Sequence, residues 1–506
     1  MRDRYGTDAF CTEPYSKVEL RLQQLVGMAL DKCGWVTKVL DAAIYAKWRK
    51  EMLVLSAEWY SEEEHTYGDL LPASRIEGLV NLALQAVRLC SQRALQEQGA
   101  PLPAAVSGCF SLDNAIPPHM HHALLETFAT LAANEPKDWH PGSDGLVLDL
   151  VHPSLYCLHR PHVDQRNSSF SPAGLYWLPT EFRVSADATS CDIWSPINSL
   201  CRVTYPQAYE AIGDAFCRVT PLLETVLGAM QAGHPLDERL PVRMHPRPLY
   251  CEEFKFPPAL PRHAPELYPK FARFSLRERS LQVIVKLASI ELTPDKPRYG
   301  GGSWHIEGLP EEAIIASALY YLSNDNVAVP SLEFRTAIGD IPYFQDRHED
   351  FENIYGIELH ENAHHNFDAG PLNQHLGACT TCTGRALAWP NALQHRLRPF
   401  ELVDKSLPGR RQMLVFFLVD PLRRVPSTLD VPPQQLHIRR MEILKASPRF
   451  ECLPRDIFDK ILLLSGCLTR EEAEQRRDEL MKERSFMNQE VNREEFERMQ
   501  YNLCEH

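Results

Sequence analysis

The sequence predicts an α+β fold with a double-stranded β-helix (jelly-roll) barrel as its core and large N-terminal and C-terminal helical extensions. Three observations predict it. Short β-rich runs crowd between about residues 280 and 421, helix-period apolar patterns fill the first 135 residues, and a charged helical pattern closes the chain.

Taken in order, residues 1–135 read as a helical region. "KVELRLQQLVGMALDKC" and "SRIEGLVNLALQAVRLCSQRALQEQ" place apolar side chains at three- and four-residue intervals, and "GAPLPAAV" breaks the second pattern. Residues 136–279 read as a mixed α/β region packing on the core. They hold the short apolar runs "GLVLDLV" and "GLYWLPTEFRV" and one long helical stretch, "YPQAYEAIGDAFCRVTPLLETVLGAM", whose proline marks a boundary or a kink. Residues 280–430 are the expected barrel. "LQVIVKLASIEL", "AIIASALYYLS", "SLEFRTAI", "GRALAWP", "HRLRPFELV" and "RQMLVFFLVDP" are β-rich and separated by Gly, Pro, Asp and Asn, a spacing that favours a double sheet over a doubly wound fold. Residues 431–506 are expected to be helical again. Thr469 with Glu472 three residues on forms a capping box, and the helix behind it reads as a solvated one packed along an edge.

Composition narrows the function classes. At 506 residues the chain suits one large elaborated core or two to three units, and 44% hydrophobic with 24% charged residues is a folded composition. The 39 prolines point to long ordered loops rather than a helical bundle. A net charge of −14 gives no overall attraction to phosphate backbones, so no nucleic-acid partner is expected. The polar start "MRDRYGTDAFCTEPYSKVEL" and the lack of a long apolar run predict no leader and no membrane partner. The 14 cysteines lack the spacing of a disulfide scaffold, which predicts reduced thiols and a cytoplasmic location. Cys379 and Cys382 form one CxxC, with His375 and His364 or His365 upstream, but the spacing matches no zinc pattern and they read as loop cysteines.

The chemistry gathers around "RYGGGSWHIEGLPEEAIIASALYYLSNDN". On a strand, His305 and Glu307 point to one face because side chains alternate. With His395, which follows the turn "PNALQ", they form two histidines and one carboxylate on β-strands, the facial triad of non-haem Fe(II). "PGRRQMLVFFLVDP" then sets Arg410 and Arg411 at the mouth of an apolar strand. Alternation turns one of the two inward, where a planar guanidinium can hold a buried carboxylate bidentately. Tyr321, in "ALYYLSN", offers a neutral hydroxyl to the same carboxylate. Arg298, Tyr299, Trp304 and Arg335 flank the metal strands and are candidate substrate-pocket residues. His162 and Asp164 in "RPHVDQ" form a competing H-x-D that lacks a following apolar strand with a tyrosine pair.

On these residues the sequence resembles the Fe(II)/2-oxoglutarate-dependent oxygenases over about residues 285–421. His305-Ile306-Glu307, His395 and Arg411 match that superfamily's H-x-D/E, distal His and co-substrate Arg. Over nearly the whole chain, including "AIYAKWRKEM", "GGSWHIEG" and "PGRRQMLVFFLVDP", it is similar to a large, mostly fungal family of uncharacterised proteins predicted to be such oxygenases. The resemblance implies Fe(II), 2-oxoglutarate as co-substrate and O₂, with Arg411 rather than Arg410, and Tyr321, holding the C5 carboxylate. Because a carboxylate occupies the Glu307 position, it implies hydroxylation, desaturation or cyclisation rather than halogenation. Two departures stand out. Glu307 replaces the commoner Asp, and the long gap from His305 to His395 implies an insertion, taken to include "RHEDFENIYGIELHENAHHNFDAGPLNQHLGACT", that is a substrate lid or a surface loop. The expected substrate is a small organic molecule such as an amino acid or secondary metabolite. A protein or peptide hydroxylase or demethylase on the same barrel, and a non-catalytic or zinc-binding scaffold, are the alternatives.

Overall fold

The computed structural model describes residues 13–59, 73–97, 99–160, 174–232, 260, 263–267, 274–339, 355–361 and 367–500. Helices α1 (Lys17–Leu30), α2 (Trp35–Lys38), α3 (Ala42–Leu55) and α4 (Ala73–Gln96) come first, then α5 (Pro118–Asn134) and α6 (Pro206–Ala232). Strands β1 (Leu102–Pro103), β2 (Phe110–Leu112), β3 (Asp138–Trp139), β4 (Val147–Val151), β5 (Leu158–His159), β6 (Leu175–Tyr176), β7 (Thr180–Val184) and β8 (Cys191–Ile193) interleave with those last two helices. The β-rich region supplies β9 (Leu281–Leu292), β10 (Arg298–Tyr299), β11 (Ile314–Asp325), β12 (Ser331–Ala337), β13 (Leu359–Glu361), β14 (Phe367–Ala369) and β15 (Asn373–Thr380). It continues with β16 (Ala386–Pro390), β17 (Gln394–Leu397), β18 (Phe400–Glu401) and β19 (Gly409–Val419). Helices Leu436–Ala446, Arg455–Leu464 and Arg470–Val491 follow, and no helix among the described residues is long and apolar enough to cross a membrane.

Successive strands of the β-rich region pass between two sheets. A ten-stranded sheet carries β16, β11, β19 and β9 side by side, while β15, β12 and β17 form a three-stranded one and β10 pairs with β18. All these pairings are antiparallel. The long strands are apolar on both faces, and both faces are covered. Leu414, Phe416 and Leu418 of β19, with Ala316 and Ala318 of β11, pack against Phe216, Val219 and Leu223 of α6 and Phe128 of α5. The alternate row, including Arg411, Met413, Val415 and Phe417, faces the other way.

The large sheet reaches beyond the 280–430 boundary drawn from sequence. β2 adds to it beside β16, and β4 and β7 both pair with β9, so strands from 102–193 are built into the sheet rather than packed on it. The runs that hold β4 and β7, "GLVLDLV" and "GLYWLPTEFRV", are legible as apolar stretches but not their pairing with β9, and β2 is too short to declare a period. Asn373–Thr380, read as insertion, is strand β15 paired along β12, and β13 and β14 of the same stretch pair with each other. Pro221 lies inside α6, which runs on through it.

The helical ends attach through specific contacts. α1 opens on a capping box between Ser16 and Glu19, and its core partners are α2, α3 and α4. At its far end Asp31 accepts the Thr380 N–H at 2.9 Å, and Gly27 lies where a Cβ would meet Ala105 O at 2.3 Å, so only glycine allows this approach. The capping box at Thr469 and Glu472 starts the C-terminal helix Arg470–Val491. That helix is more than a solvated edge. Arg484 pairs with the buried Glu312 and lies 3.6 Å over the Trp177 ring. Replacing Arg484 by alanine leaves Glu312 buried without its cation, and we expect a loss of about 3–5 kcal/mol, seen as a lower midpoint in urea unfolding.

Candidate metal centre

His305 and His395 are fixed to each other by their own backbones. His305 N donates to His395 O at 3.2 Å and His395 N to His305 O at 3.0 Å, which sets the two imidazoles side by side with ring centroids 4.4 Å apart. This corrects the expectation of a full strand under His305: the segment is extended and joins β17 through this single bridge. Glu307 follows on the same face. Its Oε1 lies 3.3 Å from His395 Nε2 and 3.7 Å from His305 Nε2. Ligands at right angles around a metal at ordinary bond lengths stand about 3 Å apart, so the spacing fits one ion held by three groups.

Neighbouring groups hold these ligands in the form a metal requires. His305 Nδ1 lies 2.8 Å from the Ser303 carbonyl and donates to it, which leaves Nε2 as a bare lone pair toward Glu307. Asn391 clamps the glutamate's backbone: its Oδ1 accepts Glu307 N–H at 2.8 Å, and its Nδ2 donates to Glu307 O at 2.8 Å and Ile314 O at 3.0 Å. Gly308, at φ 74°, turns the chain directly after the ligand. Burial opposes ionisation of Glu307, yet His305 and His395 hold its carboxyl well below the usual range. Burial also opposes a proton on His305, but Glu307 raises its affinity, whereas burial and His305 lower that of His395. The His305 side chain keeps 31% exposure while that of His395 keeps 5%, so the centre opens on the His305 side.

The two arginines separate cleanly. Arg410 points outward, 3.8 Å from Asp325, and Arg411 is buried. The Arg411 Nη2 donates to Thr381 Oγ1 at 3.0 Å, and no carboxylate among the described residues pairs with it. Its Nε and Nη1, the Tyr321 hydroxyl and the Trp389 indole N–H are all buried without a hydrogen-bond partner. Arg411 Cζ lies 5.0 Å from the Tyr321 ring centroid. Tyr321 pairs with Met413 and Trp389 with Ser317, so these side chains share the inner face of the large sheet.

Of the candidate pocket residues, Tyr299 packs with Phe400 near Arg411, and Arg298 is exposed on the other face of β10. Trp304 and Arg335 are corrections. Phe334 pairs with His395 and Arg335 with Gln394, which puts Arg335 on the face of the small sheet away from the metal ligands. There it donates to Gln394 at 2.7 Å and Glu497 at 2.6 Å, and also to Asn492, with Trp304 stacked between it and Arg396. His162, Asp164, His364 and His365 lie outside the described residues. Cys379 and Cys382 are free thiols outside any ligand cluster found among the described residues, and His375 packs on Trp304. Sequence reasoning missed Asn391, Thr381 and Trp389, whose roles depend on which strand lies opposite.

A second His-Asp-His set, His140, Asp149 and His152, is also close-packed. Its tautomers differ from those of the first. His152 Nδ1 accepts the Ser154 N–H at 3.1 Å, so the proton sits on Nε2, facing Asp149, and no lone pair is free there for a metal.

His305→Ala or His395→Ala is expected to abolish Fe(II) binding in anaerobic calorimetry. Asn391→Ala, which frees the Glu307 backbone, is expected to weaken it about 10–100-fold with the fold retained.

Comparison with known proteins gives one strong match. The family model described as "Protein of unknown function (DUF4246)" covers residues 89–166 and 163–442. No curated protein matches. Similar solved structures include IDO from Bacillus thuringiensis, 9% identical over 62% of this chain and 89% of that one with a TM-score of 0.25. They also include the non-heme alpha ketoglutarate dependent epimerase SnoN from nogalamycin biosynthesis, 8% identical over 65% and 87% with a TM-score of 0.25. A third, the Fe(II)/(alpha)ketoglutarate-dependent dioxygenase TqaL, is 12% identical over 60% and 90% with a TM-score of 0.21. Overlaps this slight carry no part of the functional reading. The family model spans well over half of the sequence, and the chain is a member of the DUF4246 family.

Proposed function

We propose that the two sheets wind as a double-stranded β-helix and that the chain is an Fe(II)- and 2-oxoglutarate-dependent oxygenase of a small organic molecule. The observation that carries this reading is a pairing of two sites. Three metal-ligating groups converge at His305, Glu307 and His395, and a buried guanidinium without a counter-ion, Arg411, lies inside the same pair of sheets.

The residues present fit the group. A buried, uncompensated arginine is costly, and a carboxylate arriving with a ligand reduces that cost by accepting from N–H groups that the protein leaves unpaired on Nε or Nη1. Tyr321 adds a neutral donor, since burial pushes its hydroxyl pKa upward and keeps the proton on it. Thr381 holds the third corner of the guanidinium and so fixes its plane. A zinc hydrolase would use the His-Glu-His set but leave this arginine unexplained.

In this reading Fe(II), 2-oxoglutarate and O₂ supply the oxidising power for attack on an unactivated C–H bond. The chain contributes placement. His305, Glu307 and His395 would hold the ion, and Arg411 with Tyr321 would hold the far carboxylate of the co-substrate. Leu319, Val415 and Phe417 on the inner face pack with Trp177 and Leu480 and make that part of the interior apolar.

The test is anaerobic titration of the apo-protein with Fe(II) and then 2-oxoglutarate, followed by the visible charge-transfer band of the chelate. A band lost in His305→Ala supports the reading; no band with wild-type protein, and tight zinc retention, overturns it. Arg411→Met is expected to raise the 2-oxoglutarate requirement about 10–100-fold with Fe(II) affinity kept.

A further inference from the structure

Lys286 is out of place in an apolar strand. It lies in β9 opposite Val415, in the row that pairs Ile284 with Phe417, Ala288 with Met413 and Ile290 with Arg411. Residues paired across antiparallel strands share a face, so the lysine rises from the same inner surface as Arg411. Asp149 of β4 pairs with Ala288 and joins that surface.

The acid is built to hold the lysine. Asp149 Oδ2 accepts the His140 Nδ1–H at 2.7 Å, with His152 Nε2 at 3.8 Å behind it. Burial opposes its charge, yet His152, Lys286 and His140 together keep Asp149 ionised. Its Oδ1 is shut off from solvent and has no hydrogen-bond partner. Lys286 Nζ stands 3.8 Å from that oxygen, beyond hydrogen-bond range, and the lysine side chain remains 23% exposed. The ammonium thus has a counter-ion to offset its burial while its donors stay unspent.

Arg411 is matched to the co-substrate and Glu307 to the metal, which leaves Lys286 as a third charge on the same inner face, with a counter-ion in Asp149 but no hydrogen bond to it. We propose that Lys286, backed by Asp149, receives a carboxylate of the substrate at the open side of the metal centre, so that the substrate is an organic acid. The inference rests on the oxygenase reading and names the class of molecule that site accepts. The same ammonium chemistry would suit a carboxylate of 2-oxoglutarate itself, and the experiment separates the two.

Full-length protein loaded anaerobically with Fe(II) and 2-oxoglutarate is melted with a panel of aliphatic, amino and aromatic carboxylic acids, each beside its primary amide. At least one acid is expected to raise the melting temperature and perturb the chelate band where its amide does neither. Lys286→Met is expected to weaken that acid about tenfold or more, Lys286→Arg to keep most of the affinity, and 2-oxoglutarate affinity to stay unchanged in both. Lys286→Gln replaces the methionine variant should the latter not fold. Equal effects of acid and amide, no response to any acid, or undiminished acid binding in Lys286→Met each overturn the proposal. Weakened 2-oxoglutarate binding in Lys286→Met also overturns it, by giving the lysine to the co-substrate. Absence of the chelate band in wild-type protein overturns the oxygenase reading itself, a distinct result.

Discussion

One backbone contact organises the site: the reciprocal pair of hydrogen bonds between His305 and His395. These residues are far apart in sequence, and nothing in either local segment makes the other's position necessary. Once their amides and carbonyls pair, the imidazoles stand side by side and the period of the extended chain brings Glu307 round to the same face. Asn391 then ties the glutamate's amide and carbonyl to the turn that precedes His395. The ligand set is thus a product of sheet closure, which links metal affinity to the stability of the fold.

Charged groups inside the two sheets follow one rule. Each is fixed on one side by a neighbour and left open on the other: Arg411 by Thr381, Lys286 by Asp149, Glu307 by Asn391 through its backbone. Arg335 and Arg385 are instead more fully paired, Arg335 by Gln394, Glu497 and Asn492, and Arg385 by Asp113 and the Thr380 carbonyl. A buried polar group with spare capacity costs free energy unless something else fills it.

How much of this the sequence disclosed depended on whether the signal was local. The strands β9, β11 and β19 were legible because each is a long apolar run bounded by breakers, and His305, Glu307, His395 and Arg411 because their types and order are chemically unusual together. Faces were not legible. Trp304 and Arg335 were placed by proximity in sequence, but the pairing of Phe334 with His395 turns Arg335 to the other side of the small sheet. Strand β2 was too short for a periodic signal, the runs that hold β4 and β7 were legible but not their pairing with β9, and β15 was hidden because its sequence reads as loop. Lys286 went unnoticed because a lone lysine in an apolar run reads as a solvent-facing position. Only the register with Val415 turns it inward.

The C-terminal helix ties these layers together. Arg477 pairs with Asp138 of β3 at the edge of the large sheet, and Arg484 reaches Glu312 between the metal-ligand segment and β11. Beyond the helix, Asn492 and Glu497 hold Arg335 behind the small sheet. Glu312 also accepts the Trp177 N–H at 2.6 Å and the Leu309 N–H at 2.8 Å, so one carboxylate gathers the chain two residues past Glu307, the strand segment near β6 and the helix. The large sheet is therefore anchored by this helix and the small sheet by the segment that follows it. Through Glu312 the helix reaches the segment that follows Glu307, so it holds the chain next to the candidate metal centre without touching the candidate ligand itself.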